Sequence, residues 1–200
     1  MTRPLGTTTT KNTIDVAGKK LFTVRGYEGF TMRVLARESG VSLSSIYHFY
    51  ADKDALLKSL YEQTNRHLGE QRTAQTAPAT ASQMLLERIL FQFEHAEDVV
   101  FVLKYYLHFR DTFPKRHDGY LPPKAALHIE EVLAYGVKTG EYQLDEEAIA
   151  SESKMVAHAI NGFLLEYYPD KLEGAELASL CANIHDFVTR AVKAKGVAAK

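Results

Sequence analysis

The stretch TMRVLARESGVSLSSIYHFYADKDALL, residues 31–57, decides the fold. Thr31, Ser42 and Asp52 each stand directly before a run with helical spacing, where a side-chain oxygen satisfies the free amides of a helix start. Gly40 stands where the first of these runs, 32–39, must stop and the chain turn. Two short capped helices meeting at ESGVS across a tight glycine turn form a helix-turn-helix. Val41 is the plug of that turn, and Val34, Leu35, Ile46 and Tyr50 supply a shared core. On the helix predicted over 43–50, Ile46, Phe49 and Tyr50 fall on one side, and Ser44, Tyr47 and His48 on the other. That outer face is small and hydrogen-bonding, as a helix entering a major groove requires.

Upstream, Ile14, Ala17, Leu21 and Phe22 share one face of a helix running from about residue 12 to Gly26, a glycine placed as a left-handed C-terminal cap. The start, residues 1–10, holds four consecutive threonines without apolar periodicity and reads as a mobile tail. A plain solvated tail is the expectation, with Arg3 and Lys11 reaching a DNA backbone or groove as the alternative. Downstream, Leu56, Leu57, Leu60, Tyr61 and Thr64 repeat at helical spacing in a fourth helix ending near residue 72. TAQTAPATAS, broken by Pro78, is a loop. Amphipathic runs follow at about 81–96, 98–111, 123–139, 145–167 and 174–193, with DTFPKRHDGYLPP and KTGEYQLD as breaks. No run has strand period. The prediction is an all-α chain of about nine helices: a helix-turn-helix head over 12–58, and a helical ligand-binding and dimerisation body over 59–200.

Charge follows the same division. Residues 1–53 carry eight basic and four acidic side chains, and the remaining residues sixteen and twenty-one. The net charge of the whole is only -1, which excludes a protein that coats DNA along its length. Phosphate attraction is concentrated at one end, as a DNA-reading head needs. A single cysteine, Cys181, excludes an intramolecular disulfide and a cysteine zinc cluster. No apolar run is long enough for a membrane span and the start has no apolar leader segment, so the expected location is a reducing cytoplasm, with no membrane partner.

Residues 14–61 closely resemble the DNA-binding domain of the TetR family of bacterial transcriptional regulators. The resemblance rests on LFTVRGYEGFT, VLARESGVS, SIYHFY and DKDALL, in unbroken order over about 45 residues. It implies an all-α homodimer, usually a repressor, with double-stranded operator DNA and a small-molecule effector as partners. By position it implies that Thr31 and Arg33 touch phosphate, and that Ser42, Leu43, Ser44, Ser45, Tyr47 and His48 belong to the recognition helix. Tyr47 matches a tyrosine that packs on the sugar-phosphate backbone, and Lys53 a phosphate-binding lysine. Ser39, Leu43, Ser44 and the Phe49–Tyr50 pair depart from the commonest residues of the pattern, which leaves the operator sequence open.

In the body, Ile149, Met155, Val156, Ala159, Ile160, Phe163 and Leu164 make a broad apolar stripe, and Leu177, Leu180, Cys181, Ile184, Phe187, Val188 and Ala191 a second. A helix apolar over more than one stripe buries more than one side. These two helices are the candidates for a dimer interface, with intramolecular core as the alternative. His158 and Asn161 stand out as polar residues within the first stripe. Aromatic and histidine residues crowd the middle helices, and the resemblance places an effector pocket there. Phe101, Tyr105, His108, His128, Asn161 and Leu165 are the candidate lining, with helix core and hydrogen-bonded structural histidine as the alternative.

An enzyme reading finds little purchase. None of the eight histidines has a glutamate three residues before it, and there is no HExxH, GxSxG or P-loop. No catalytic residue, metal ligand or cofactor is assigned. The reading is a homodimeric, ligand-responsive repressor released from a palindromic operator by a small molecule. Its alternative is a helical metal-dependent enzyme, or a metal or redox sensor, without operator reading.

Overall fold

The computed structural model describes residues 7–73, 80–110 and 122–198. Among them lie nine α-helices: α1 (Thr7–Gly29), α2 (Met32–Ser39), α3 (Leu43–Phe49), α4 (Lys53–Thr73), α5 (Ala81–Glu94), α6 (Ala96–Phe109), α7 (Pro122–Thr139), α8 (Glu146–Tyr167) and α9 (Gly174–Ala198). A single 3-10 turn, Tyr168–Asp170, follows α8. No described residue lies in a strand, and the all-α prediction holds.

Local chemistry explains most boundaries. The Thr31 hydroxyl accepts the Val34 N–H, Ser42 accepts the Ser45 N–H, and Asp52 accepts the Ala55 N–H at 2.7 Å. Gly40 ends α2 at φ 68°, in the left-handed region that glycine enters without Cβ strain. Gly26, at φ 66° and ψ -175°, breaks α1, and the next residues continue in a separate helical turn. Asp145 caps α8 through the Ala148 N–H.

Several boundaries differ from the sequence reading, three of them with a clear consequence. Helix α1 begins at Thr7, not near residue 12, so Thr7–Thr10 are helical and not tail. The breakers Pro4 and Gly6 lie upstream, and nothing in the threonine run itself stops a helix that is anchored downstream by packing. Helix α3 ends at Phe49. Tyr50 is extended, and its N–H closes the helix on the Ile46 carbonyl. Helix α9 runs on to Ala198, five residues past the predicted 193. Arg3, most of the TAQTAPATAS loop and the break preceding α7 lie outside the described residues.

The described residues fall into two compact units. The first runs to Leu68 and resumes at Phe101. The second holds Gly69–Val100 and resumes with α7. Sequence alone could not show that the end of α6 belongs with the head, because amphipathic spacing says that a face is buried but not against what. In the first unit Ile14, Phe22, Phe30, Leu35, Ile46, Leu56, Leu57 and Tyr61 are almost fully buried, joined by Phe101. Each such side chain is worth about 1.5–3 kcal/mol over an exposed one. In the second unit α5 packs against α9 and α7, and α7 against α8. Its core includes Leu85, Ile89, Val132, Val156, Ile160, Leu164, Cys181 and Val188. The Glu141 carboxylate, beyond α7, accepts the Ala81 and Ser82 N–H groups at the start of α5 at 2.8 and 3.2 Å.

Candidate nucleic-acid interface

The helix-turn-helix is built from the inside out. Leu35 and Ile46 are fully buried, Val41 and Tyr50 nearly so, and Val34 partly. With Ile46 fixed inward, the seven residues of α3 have only one way to face. Ser44, Tyr47 and His48 are exposed, and Tyr47 keeps half its surface open to solvent. A large aromatic left this open beside a buried scaffold is free to meet a partner.

The serines of this face hold one another. Ser42 Oγ lies 3.0 Å from Ser44 Oγ and 2.7 Å from Ser45 Oγ, and it accepts the Ser45 N–H at 3.1 Å. The hydroxyl network therefore presets the first turn of α3. Thr31 likewise spends its hydroxyl on the Val34 N–H, and its remaining surface is exposed beside that of Arg33. Leu43 is partly buried. His48 rests edge-on against Phe49, with ring centroids 5.3 Å apart.

Lys53, at the start of α4, is not a free surface cation. Its ammonium donates to the Tyr27 carbonyl at 3.1 Å and lies 3.4 Å from the centroid of the Tyr27 ring. The Tyr27 hydroxyl donates to Asp54 Oδ1 at 2.7 Å. That bond to a carboxylate, with burial adding to it, pushes the phenol pKa up to about 12. A second tie lies deeper, where the Tyr50 hydroxyl donates to Asp15 Oδ1 at 2.5 Å and Asp15 pairs with Lys11 at 2.6 Å. Lys11, read as a residue of the tail, is thus fixed on α1. Tyr27, Asp54 and Asp15 were not singled out in the sequence. The only signal for Tyr27 was the Gly26–Tyr27 pair inside the family pattern.

The six residues read as effector lining are divided between the units. Phe101, Tyr105 and His108 belong to the first, each against an aromatic neighbour. Phe101 meets Phe22 edge-on at 5.5 Å, Tyr105 stacks on Tyr61 at 4.4 Å, and His108 stacks on Tyr27 at 3.9 Å. Burial raises the Tyr105 pKa far above its usual value. His128, Asn161 and Leu165 belong to the second unit. His128 is partly buried, 3.4 Å from Glu131, and burial lowers its imidazole pKa, with Arg72 and Arg88 acting in the same direction. Asn161 is buried and its Oδ1 has no partner among the described residues, while Leu165 is exposed. His158 does not share the burial of Asn161. It is exposed, with Nδ1 at 2.5 Å from the Lys154 carbonyl of its own helix, because it lies on the outer side of α8.

Among the described residues no three His, Cys, Asp or Glu side chains converge as a metal site, and no helix is long and apolar enough to cross a membrane.

Residues 14–60 match the bacterial regulatory proteins of the tetR family. That match spans the whole helix-turn-helix. Beyond it the likeness is one of fold. A TetR-like transcriptional regulator from Rhodococcus sp. RHA1 superposes with a TM-score of 0.65 at 12% identity, covering 92% of this chain and 96% of that one. The TetR-family regulator PfmR from Thermus thermophilus gives 0.63 at 19% identity, over 88% and 97%. The regulator FadR from Bacillus subtilis, solved in complex with stearoyl-CoA, gives 0.61 at 18% identity, over 90% and 97%. No curated protein matches the chain. The matched stretch takes in the capped α2–α3 turn, and about nine-tenths of the chain shares the fold of these regulators.

Proposed function

We propose that this protein is a homodimeric, ligand-responsive repressor that reads a palindromic DNA operator with α3. The observation that carries the reading is the outward face of that helix. Ser44, Tyr47 and His48 are exposed on a scaffold locked by Ile46, within the more basic first quarter of the chain. Thr31, Arg33, Ser42, Leu43, Ser45 and Lys53 flank this face and supply phosphate and groove contacts. Phosphate contacts set register and affinity, and base contacts from α3 set sequence.

A second copy of the chain is the partner that the outer side of α8 and α9 suits. Met155 and Phe187 are 60% and 55% exposed, Phe163 meets Phe187 edge-on at 6.0 Å, and an added Cβ at Gly162 would meet open space. Two heads on one dimer would read two half-sites about one DNA turn apart. An effector releases DNA only through different affinities for the bound and free conformations. Asn161 Oδ1, buried without a partner among the described residues, is a polar group in α8 that an effector or the second copy would satisfy. Long-chain acyl thioesters are the first effectors to try, since one neighbour in fold is described with stearoyl-CoA.

The test is selection of bound sequences from a random duplex pool, followed by titration of the enriched duplex with Tyr47→Ala. An enriched palindrome and a weakened, still folded dimeric variant are expected. Wild-type affinity in Tyr47→Ala would overturn the assignment of α3. An operator affinity that no acyl thioester or other candidate effector changes would remove the inducer part of the reading.

A further inference from the structure

The Tyr27 ring carries two neighbours from two different helices. The Lys53 ammonium, at the start of α4, lies 3.4 Å from its centroid, and the His108 imidazole, near the end of α6, lies 3.9 Å from it with the planes 20° apart. Two groups this close to one centroid collide if they share a face. They therefore take opposite faces, and the order across the stack is lysine, phenol, imidazole. Phe109 closes the edge of the phenol at 5.5 Å, perpendicular to it.

We propose that Tyr27 and His108 are positioning residues for Lys53, so that α6 sets the strength of a DNA phosphate contact through one aromatic ring. The inference rests on the reading of this face as the DNA interface. A lysine on a flexible four-carbon stem loses rotamer freedom when it grips a phosphate, and a lysine already held loses less. Lys53 is held twice by the same residue, by the Tyr27 carbonyl and by the Tyr27 ring. The ring attracts the charge through its face, with one N–H turned toward it. A second donor goes to the carbonyl, and the third remains for an anion.

The ring itself is fixed. Its hydroxyl is tied to Asp54 on α4, one residue after Lys53. It stays a neutral phenol, with its pKa raised to about 12, so it does not compete with phosphate as a counter-anion. The backbone break at Gly26 sets Tyr27 off from the main run of α1. His108 covers the remaining face. Lys104, one turn before His108 on the same side of α6, donates to the Thr23 carbonyl at 2.6 Å. Helix α6 thus grips the end of α1 at two successive turns. A shift of α6 that withdraws the imidazole uncovers one face of Tyr27 and frees the ring that holds Lys53.

The experiment uses the full chain and a random-sequence duplex, because a phosphate contact carries no sequence information. Affinity is measured across a salt series for wild type, Lys53→Ala, Tyr27→Leu, Tyr27→Phe, His108→Leu and the doubles with Lys53→Ala. Loss of one phosphate contact lowers the slope of log affinity against log salt by about 0.9. That loss is expected for Lys53→Ala and for Tyr27→Leu, with no further loss in their double variant. Tyr27→Phe, which keeps the ring, is expected to keep the slope. His108→Leu, at an exposed position that tolerates change, is expected to weaken binding several-fold only while Lys53 is present. Unchanged slopes in Tyr27→Leu and His108→Leu, with equal losses whether or not Lys53 is there, would reduce the stack to a packing role and overturn the proposal. If Tyr27→Leu does not fold, the His108→Leu pair of measurements decides alone. Absence of any wild-type binding to duplex at low salt would instead overturn the DNA-binding reading, and this proposal with it.

Discussion

The Tyr50 hydroxyl donates to the Asp15 carboxylate at 2.5 Å, joining the C-cap of α3 to the middle of α1, thirty-five residues earlier. Tyr50 is 6% exposed and Asp15 is largely covered, so the bond is made at a part-buried site. A hydrogen bond to a charged acceptor there contributes about 1.5–3 kcal/mol, and removing the hydroxyl leaves the carboxylate with Lys11 as its remaining partner.

Tyr50→Phe should therefore lower the stability of the protein by about 1–2 kcal/mol, measured by urea denaturation, while keeping the ring that fills the turn. The same contact predicts alkaline sensitivity. Burial, and then the bond to Asp15, raise the Tyr50 pKa above 10.0. A group whose folded pKa is raised contributes stability that is complete below its unfolded pKa and is lost as pH rises through the folded value. Wild type should lose stability above pH 10 more steeply than Tyr50→Phe, and parallel curves would refute this.

Glu141 staples the segment after α7 to the start of α5. Its carboxylate pKa is lowered, first by the Ala81 N–H, with the Ser82 N–H and the Thr139 hydroxyl acting alike. A lowered carboxylate contributes stability that is present above its ordinary pKa of 4.5 and is lost as pH falls through the folded value. Glu141→Gln should cost about 1 kcal/mol near neutrality, the scale of a lost helix cap. The gap between variant and wild type should close under acid, and thermal melts at pH 7 and below pH 4 would measure it.

Gly136→Ala should damage the second unit severely. The added Cβ would lie 2.1 Å from Tyr142 Cδ2 and 2.9 Å from Ala81 Cβ. Tyr142 is buried, so its ring cannot swing into solvent to make room. Overpacking of this kind costs about 1–3 kcal/mol or more. A melting temperature within a degree or two of wild type would show that the tyrosine has another place to go.

Cys181 should behave as an inert core thiol. It is fully buried, and burial, with Glu94 adding to it, pushes its pKa up to about 11. A protonated, inaccessible thiol is neither nucleophile nor metal ligand. An aromatic disulfide reagent should label it only as fast as the protein unfolds. Rapid labelling of the native protein would revive the redox-sensor alternative.

Exposed apolar surface on α8 and α9 gives a handle on assembly. Phe187→Glu should leave the subunit folded and abolish self-association in sedimentation, because a charge buried between copies has no counter-charge. Unchanged association would place the contact between copies elsewhere.

What the sequence by itself determined is set within a few residues along the chain. Thr31, Ser42, Asp52 and Asp145 cap the helices they precede, and Gly26 and Gly40 turn the backbone with positive φ. These effects act over three or four residues, so they can be read directly, and the order of the helices among the described residues and the outward face of α3 followed from them. What only the tertiary structure decided is which partner each face meets. His158 and Asn161 are three residues apart on an apolar stripe, yet one is exposed and the other buried. His108, read as effector lining, lies on Tyr27, eighty-one residues earlier, and the end of α6 belongs to the head's compact unit. Periodicity records that a side chain is to be covered, whereas the identity of the cover comes from residues distant in sequence. That information exists only once the helices have packed.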